Sequence, residues 1–314
     1  MGAIEFDEAV RLLASEGAEM YALFARANAV RLDHTGRGVR LCGVLNARSG
    51  MCSEDCKFCP QSVHSSSEVA CYPLVTDDEM VAAARTAAKN RSSRFGIVTS
   101  GEAVEAPEDV RTIARAVSRI SKAQGIHPCA SLGTVSREVL AELKAAGLTR
   151  YHCNLETAKS YFKEICTTHD WSDAAWTIRA AQSLGLSTCS GGIFGVGESL
   201  AQRAELLAEV RELDPDSVPL NFLNPIPGTP LEDAPPIGAL ECLKVVAVAR
   251  LMMPRKTIRL CGGRERNLRD LQSWALIAGA DGLMVGGYLT TRGRSVADDL
   301  QMITDAGFEI LPEE

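Results

Sequence analysis

The sequence predicts an α/β fold, a (β/α)8 barrel of the TIM type with an N-terminal helical extension. Short apolar runs alternate with amphipathic segments of helical period, and we count eight strands. No GxGxxG fingerprint follows the first strand, which disfavours the runner-up, a doubly wound open sheet. No linker or low-complexity segment divides the 314 residues. We therefore expect one domain over 1–314, with N-terminal helices over 1–37 and the barrel over 38–314.

Local signals place the elements in order. Apolar residues at three- and four-residue steps indicate two helices within 4–33. Thr76 with Glu79 forms a capping-box pattern, Pro107 suits a first helical turn, and Gly147 and Gly185 suit helix ends. The predicted strands are 40–45, 95–100, 126–132, 150–155, 187–194, 218–223, 257–261 and 282–285. The predicted barrel helices are 76–89, 107–123, 136–146, 160–184, 199–213, 238–252, 265–278 and 295–306.

Composition and charge exclude several classes of protein. The net charge is −7, and no basic patch favours nucleic acid or an anionic membrane. No apolar run approaches the ~20 residues that span a bilayer. Residues 1–17 lack the basic start and apolar centre of a signal peptide, so we expect a cytoplasmic protein. The eleven cysteines are then expected to be metal ligands or buried thiols rather than disulfides.

Three cysteines in one short loop organise the chain. Cys52, Cys56 and Cys59 have CxxxCxxC spacing directly after the first predicted strand, at the barrel end where catalytic residues gather. Three thiolates can hold three corners of a cubane iron–sulfur cluster and leave the fourth iron open to a small molecule. The alternatives are a disulfide pair and a structural zinc loop. Structural zinc usually takes four ligands from two knuckles, and only one knuckle is present.

A second set of cysteines lies near the ends of different predicted strands. Soft thiolates that converge inside a barrel select iron–sulfur clusters, zinc or Cu(I). The alternative is that each is a small buried apolar residue. Arg259 lies two residues before one of them, hence on the same face of its strand, and an anionic cluster would balance its charge. The set is Cys129, Cys153, Cys189 and Cys261.

The loop resembles that of the radical S-adenosylmethionine (SAM) enzymes. The fuller string CSEDCKFCPQS over 52–62 resembles one branch, biotin synthase, and the resemblance covers nearly the whole chain. It implies a [4Fe–4S] cluster that binds SAM and, with one electron from a flavodoxin or ferredoxin, yields a 5′-deoxyadenosyl radical. That radical would take hydrogen from dethiobiotin, and an auxiliary cluster would supply sulfur to form biotin. The family also implies a homodimer.

The auxiliary cluster is where the sequence departs from the family. Cys129, Cys189 and Arg259 match ligands of its usual [2Fe–2S] cluster, but the position of the remaining cysteine is Gly96. Cys153 stands where histidine is usual, and Cys261 where serine is common. We therefore hypothesise a four-iron auxiliary cluster, with [2Fe–2S] as the alternative. Its ligands would be all four strand cysteines or three of them, and with three one iron could carry an exchangeable sulfide.

The resemblance also implies cofactor and substrate residues. Asn154 matches a dethiobiotin contact, and Asn221 matches a residue that holds the ureido ring. The family arginine for the SAM carboxylate falls on Ala174, and Arg179 or another base would have to substitute. Gly192 belongs to a glycine-rich segment that would let backbone approach SAM. The remaining expected SAM contacts are Phe58, Ser100, Gly101, Glu102 and Glu156.

Two other functions stay open at this stage. One is a related radical SAM enzyme, such as a hydrogenase maturase or another sulfur-inserting enzyme, which would not act on dethiobiotin. The other is a non-catalytic iron–sulfur sensor, which would not cleave SAM.

Overall fold

The computed structural model describes residues 2–123, 125–291 and 293–311. Its strands form a closed, all-parallel barrel because β1 pairs both with β2 and with β9. This confirms the predicted (β/α)8 fold. The strands are β1 (Gly38–Arg48), β2 (Arg94–Thr99), β3 (His127–Ser131), β4 (Arg150–His152), β5 (Ser187–Cys189), β6 (Gly192–Phe194), β7 (Ser217–Phe222), β8 (Thr257–Leu260), β9 (Gly282–Met284) and β10 (Glu309–Leu311).

The helices surround the barrel, and their ends follow the predicted caps. The capping box of Thr76 and Glu79 begins α3, and the hydroxyls of Ser136 and Ser199 cap α5 and α8. A 3-10 turn at Arg269–Leu271 separates α10 from α11. The helices are α1 (Phe6–Leu13), α2 (Gly17–Thr35), α3 (Asp77–Lys89), α4 (Pro107–Ser121), α5 (Arg137–Ala145), α6 (Phe162–Ile165), α7 (Trp171–Ser183), α8 (Leu200–Leu213), α9 (Ala239–Met252), α10 (Arg264–Leu268), α11 (Gln272–Ile277) and α12 (Val296–Asp305).

Three predicted elements were wrong in detail. The helix expected over 160–184 is broken at 166–170, where the Asp170–Asp173 capping box begins α7 as a new helix. The strand expected over 187–194 is interrupted at Gly191, where the carbonyl oxygen of Pro219 approaches so closely that an added Cβ would lie 2.0 Å from it. Its halves, β5 and β6, both pair with β7 and count as one barrel strand. The helix expected over 265–278 is split, and β10 on the first residues of β1 was not predicted.

A buried ion pair fastens the N-terminal end of the barrel. Arg250 Nη2 donates to Asp281 Oδ1 at 2.6 Å, and neither side chain is exposed to solvent. The same carboxylate oxygen accepts the backbone N–H of Ile258 at 2.8 Å, and Arg250 also donates to the carbonyl of Gly279. Removing one partner of such a pair leaves an uncompensated buried charge, which costs several kcal/mol.

We expect Arg250→Ala to lower the free energy of unfolding by about 3–5 kcal/mol, because Asp281 would stay buried and keep only the longer ion pair with Arg40, at 3.8 Å. Urea denaturation followed by circular dichroism measures this. The matched control is Arg179→Ala, since Arg179 is mostly exposed and lies 3.7 Å from Glu212. That variant should lose less than about 1 kcal/mol. Equal losses in the two variants would contradict the prediction.

Candidate active site

The three-cysteine loop closes on itself at the C-terminal end of β1. Cys52 N–H donates to the carbonyl of Gln61 at 3.0 Å, and Val63 N–H donates back to Cys52 at 2.8 Å. Between them, Cys59 N–H donates to the carbonyl of Cys56 at 2.9 Å. The Gln61 side-chain oxygen accepts from the hydroxyl of Ser49 at 3.0 Å, which ties the loop to the end of β1. The backbone therefore holds three thiols in one tight turn, as a three-thiolate cluster site requires.

One cavity of about 310 Å³ joins this loop to the barrel interior. It brings together Cys52, Cys56 and Cys59 with all four predicted strand cysteines. Three residues that sequence reasoning missed also line it: Cys42, His152 and Tyr288. The other predicted site residues on its wall are Phe58, Ser100, Gly101, Glu102, Asn154, Glu156, Asn221 and Arg259.

The strand register puts three of the interior cysteines in one layer. Cys42 on β1 pairs with Arg94 on β2, and Arg94 pairs with His127 on β3. Cys129 lies two residues after His127 on β3. From Cys129 the same step through Arg150 and Ser187 reaches Cys189. Such two-residue steps follow from strand tilt, and in TIM barrels alternate strands supply one layer.

The layer closes on itself. Cys189 pairs with Ser217 on β7, and Ser217 pairs with Thr257 on β8. Arg259 lies two residues after Thr257. From Arg259, pairing through Gly282 and Arg40 returns to Cys42. Four steps of two residues give the shear of 8 typical of TIM barrels. Cys42, Cys129, Cys189 and Arg259 therefore form one ring of interior side chains, which we call the cysteine layer.

The next layer towards the loop is formed by Gly96, His152, Pro219 and Met284, by the same register. Gly96 contributes no side chain here; an added Cβ would lie 3.3 Å from Val44 Cγ1. Cys261 lies two residues beyond Arg259 and so reaches in from above the cysteine layer. Gly96 thus faces the same cavity as the interior cysteines, with the Val44 side chain against the position that a Cβ would take.

Guanidinium groups lie beneath and beside the cysteine layer. Arg94 and Arg150 are interior residues one layer below, both buried, and Arg94 Nη1 lies 3.7 Å from Cys129 Sγ. Burial raises the pKa of the Cys189 thiol to about 11, although the positive charges of Arg150 and Arg259 oppose the shift. Burial likewise raises the pKa of the Cys261 thiol, with Cys42 and Cys189 among the neighbouring charges. Without a metal these thiols are therefore neutral, and ligation would displace their protons.

Cys153 has a different environment from the cysteines of this layer. It follows β4, two residues after Tyr151, which is fully buried in the hydrophobic core. Alternation along the strand directs Cys153 to the same outer side, and it belongs to that core as well as to the cavity wall. Burial raises the pKa of its thiol to about 12.

Asn154 and Glu156 face the cavity between the loop and the barrel interior. Asn154 Nδ2 lies 3.5 Å from Glu156 Oε2. Burial raises the pKa of the Glu156 carboxyl to about 7, and the hydrogen bond from Asn154 only partly opposes that shift. A carboxyl with this pKa changes its charge near neutral pH.

The Asn221 amide and Gly192 both contact the protein's own backbone. Asn221 Nδ2 donates to the carbonyl of Gly192 at 3.2 Å, and its Oδ1 accepts from Gly262 N–H at 2.9 Å. An added Cβ at Gly192 would lie 2.5 Å from the carbonyl oxygen of Glu156. Gly192 therefore lets two strand ends approach each other. Each polar atom of the Asn221 amide keeps one further hydrogen-bonding position towards the cavity.

Arg179, named above as a substitute for the family arginine at Ala174, is not among the residues that line the cavity. Ala174 lines the cavity, whereas Arg179 is mostly exposed and pairs with Glu212. The cavity instead contains His169, which lies in the break between α6 and α7. A hydrogen bond with Cys166 is the largest cause that raises the pKa of His169, to about 9, and Glu54 adds to it. The local cation at this end of the cavity is thus an imidazolium.

Segment 166–169 is held against the three-cysteine loop by hydrogen bonds. Asp55 accepts the backbone N–H groups of Thr167 at 2.8 Å and Thr168 at 3.2 Å. Lys57 N–H donates to the carbonyl of Ile165 at 3.0 Å. In a continuous helix over 166–170 these backbone N–H groups would donate to helix carbonyls. Here they donate to the Asp55 carboxylate instead.

The donor set fits the cofactors that the sequence implies. Three thiols in one hydrogen-bonded turn suit a cluster with one open iron, and the cavity begins at that turn. The interior cysteines and arginines suit a second, anionic group deeper in the barrel.

Comparisons with known proteins agree with this geometry. The Radical SAM superfamily model matches residues 48–210, and the Biotin and Thiamin Synthesis associated domain matches 219–309. Methylornithine synthase (PylB) has the same fold, with a TM-score of 0.85 at 21% identity over 98% of this chain and 94% of that one. The hydrogenase maturase HydG from Carboxydothermus hydrogenoformans gives 0.83 at 19% identity, over 99% and 77%. The chain is therefore a radical SAM barrel.

Two curated relatives identify the branch. The chain is 51% identical to the biotin synthase of Citrifermentans bemidjiense over 98% of its own length and 94% of the relative's. It is 50% identical to the biotin synthase of Geobacter sulfurreducens, over 98% and 93%. The chain belongs to the biotin synthase family. Within the described residues, the model contains no helix long and apolar enough to cross a membrane.

Proposed function

We propose that this chain forms biotin by inserting sulfur into dethiobiotin, with the sulfur drawn from an auxiliary iron–sulfur cluster on its interior cysteines. The observation that carries the proposal is that one cavity joins the three-cysteine loop to the cysteine layer. A substrate between them would have a radical source on one side and a sulfur source on the other. The family membership supports the same reaction.

Cys52, Cys56 and Cys59 would hold the [4Fe–4S] cluster, which with SAM and one electron supplies radical chemistry able to remove hydrogen from an unactivated carbon. The chain's own contribution is placement and exclusion of water. The loop closes one end of the cavity, while Tyr288 and Leu289 line its wall. No acid or base side chain is needed for this chemistry.

We infer that the auxiliary cluster has four irons. Four buried thiols, from Cys42, Cys129, Cys189 and Cys261, line the same cavity as Gly96. Glycine at position 96 removes a ligand of the family's [2Fe–2S] cluster. Cys42 takes the place that we gave to Cys153, because Cys42 belongs to the cysteine layer and Cys153 lies on the outer side of β4. Buried arginines nearby favour an anionic group there.

SAM and dethiobiotin would bind above the cysteine layer. An ionised Glu156 would accept hydrogen bonds from the SAM ribose, and Phe58 would pack near adenine. Ser100, Gly101 and Glu102 at the end of β2 would meet the SAM amino group. Asn154 and the free positions of the Asn221 amide would meet the ureido group, because amides both donate and accept.

We also expect an external one-electron donor of the flavodoxin or ferredoxin type, and a homodimer. The family resemblance carries both expectations. Sedimentation of the purified enzyme tests the second.

Cys189→Ala should keep SAM cleavage and lose biotin formation, because the loop cysteines stay intact while the sulfur source loses a ligand. Anaerobic turnover with dethiobiotin measures both products. Cys242→Ala is the matched control, since Cys242 is a buried cysteine on α9 outside the cavity. Normal biotin yield from Cys189→Ala would overturn the assignment of the sulfur source.

The triple variant Cys52→Ala/Cys56→Ala/Cys59→Ala isolates the auxiliary cluster. After anaerobic reconstitution we expect about four irons per chain, counted chemically and by Mössbauer spectroscopy. Adding Cys42→Ala should remove most of that iron, and adding Cys153→Ala should leave it. A count of about two irons would indicate the ordinary [2Fe–2S] cluster of the family. A count of zero would mean that the interior cysteines are core thiols. Iron lost with Cys153→Ala and kept with Cys42→Ala would reverse the ligand assignment.

SAM affinity should rise with pH through about 7. The raised pKa of Glu156 leaves its carboxyl mostly protonated at pH 6 and mostly ionised at pH 8, and the ribose hydroxyls bind the ionised form. The expected gain is up to about tenfold between these pH values. Equilibrium binding to the unreduced enzyme measures it. Glu156→Gln should bind more weakly at pH 8 and show a flat profile; a flat profile in the unsubstituted enzyme would contradict the role.

A further inference from the structure

Segment 166–169 brings two metal-ligating side chains to the three-cysteine loop. Cys166 Sγ lies 3.7 Å from Cys56 Sγ and 3.2 Å from His169 Nδ1. The three ligand atoms all lie within 4.8 Å of one another. His169 Nδ1 also forms a hydrogen bond with Glu54 Oε2. Cys166 and Glu54 have no part in the function proposed above.

We propose that the chain, when it lacks its SAM-binding cluster, binds one divalent metal ion of the zinc and iron class at Cys56, Cys166 and His169. Glu54 Oε2 forms a hydrogen bond with His169 Nδ1 beside the site, and solvent would complete the coordination of the ion. The site goes beyond biotin formation, because it belongs to the enzyme before its cluster is assembled.

The distances suit a single tetrahedral ion. Two thiolates about 2.3 Å from one zinc ion lie ~3.8 Å apart, and a thiolate and an imidazole nitrogen lie ~3.6 Å apart. The observed separations are 3.7 Å between the sulfurs and 3.2 Å from sulfur to nitrogen. Two sulfurs and one nitrogen, completed by solvent, form a donor set that zinc and ferrous iron accept. The cysteines of one cubane ligate different irons. The short distance between the sulfurs of Cys166 and Cys56 therefore suits one mononuclear ion better than two corners of a cubane.

The site is formed before any metal arrives. Thr168 Oγ1 donates to Glu54 Oε2 at 2.6 Å, and this carboxylate holds the His169 ring next to Cys166. Asp55 fixes the backbone of Thr167 and Thr168 against the loop. Cys166 is 2% exposed, so water competes little with its thiolate for the ion. Binding would release the protons of the Cys56 thiol and of the His169 imidazolium to solvent.

The mononuclear ion and the SAM-binding cluster cannot be bound at the same time, because both need Cys56 as a ligand. Cys56 cannot serve both a mononuclear ion and its corner of the cubane. Zinc bound here would therefore slow assembly of the SAM-binding cluster. The auxiliary cluster would not be affected, because its cysteines lie deeper in the barrel.

The test uses Co²⁺ as the probe, with the reduced, cluster-free full-length chain carrying Cys52→Ala/Cys59→Ala so that the loop alone cannot bind the ion. Sulfur-to-cobalt absorption and bound cobalt per chain are measured. Adding Cys166→Ala or His169→Ala should remove one cobalt ion per chain. Adding Cys71→Ala, an exposed thiol outside the site, should remove none. Equal cobalt in the chains with and without Cys166→Ala would overturn the proposal.

A second measurement guards against a folding defect in those variants. Cys166→Ser keeps the side-chain size and should weaken cobalt binding at least tenfold, with circular dichroism unchanged. In the chain with all loop cysteines, one equivalent of Zn²⁺ should slow appearance of the loop cluster's EPR signal, and should have no such effect in Cys166→Ser. An equal delay in both chains would place the zinc on other cysteines. None of these readouts depends on biotin formation, so their failure leaves the proposed function standing.

Discussion

The pairing of β1 with both β2 and β9 is the constraint on which the site depends. It closes the barrel with a shear of 8 and so fixes which residues share a height inside it. Cys42, Cys129 and Cys189 are far apart in sequence, yet the register places them in one ring with Arg259. A slip of one residue on any of these strands would turn its cysteine outward into the hydrophobic core.

The sequence was sufficient for the architecture and for most of the cavity wall. Strand and helix periods gave the eight-stranded barrel, and the spacing of Cys52, Cys56 and Cys59 gave the loop. Cys42 was missed although the strand containing it was predicted, and alternation with Val44 was the signal that could have found it. Closeness to a strand end does not tell which side of the strand a residue faces, so the sequence could not decide between Cys42 and Cys153 as a ligand.

Tertiary contacts decide what the sequence could not show. Residues 160–184 have a helical period throughout, yet the helix is broken at 166–170, where the Asp55 carboxylate of a distant loop accepts two backbone N–H groups. Cys166 and His169 are therefore brought to the loop only in the complete fold. Likewise, the fifth barrel strand is interrupted at Gly191, where the carbonyl of Pro219 leaves no room for a Cβ, an approach between neighbouring strands that no local pattern predicts.

The depth of the cysteine layer has a consequence for the order of events in the enzyme. Cys129 and Cys189 are 1% exposed, above a floor that contains Arg94 and Arg150. The cavity that would hold the substrate lies over them. Iron or sulfide that enters by this route must cross the substrate's own space. If the cysteine layer holds the proposed auxiliary cluster, repair of that cluster and occupancy by substrate would alternate, and an excess of dethiobiotin would slow recovery between turnovers.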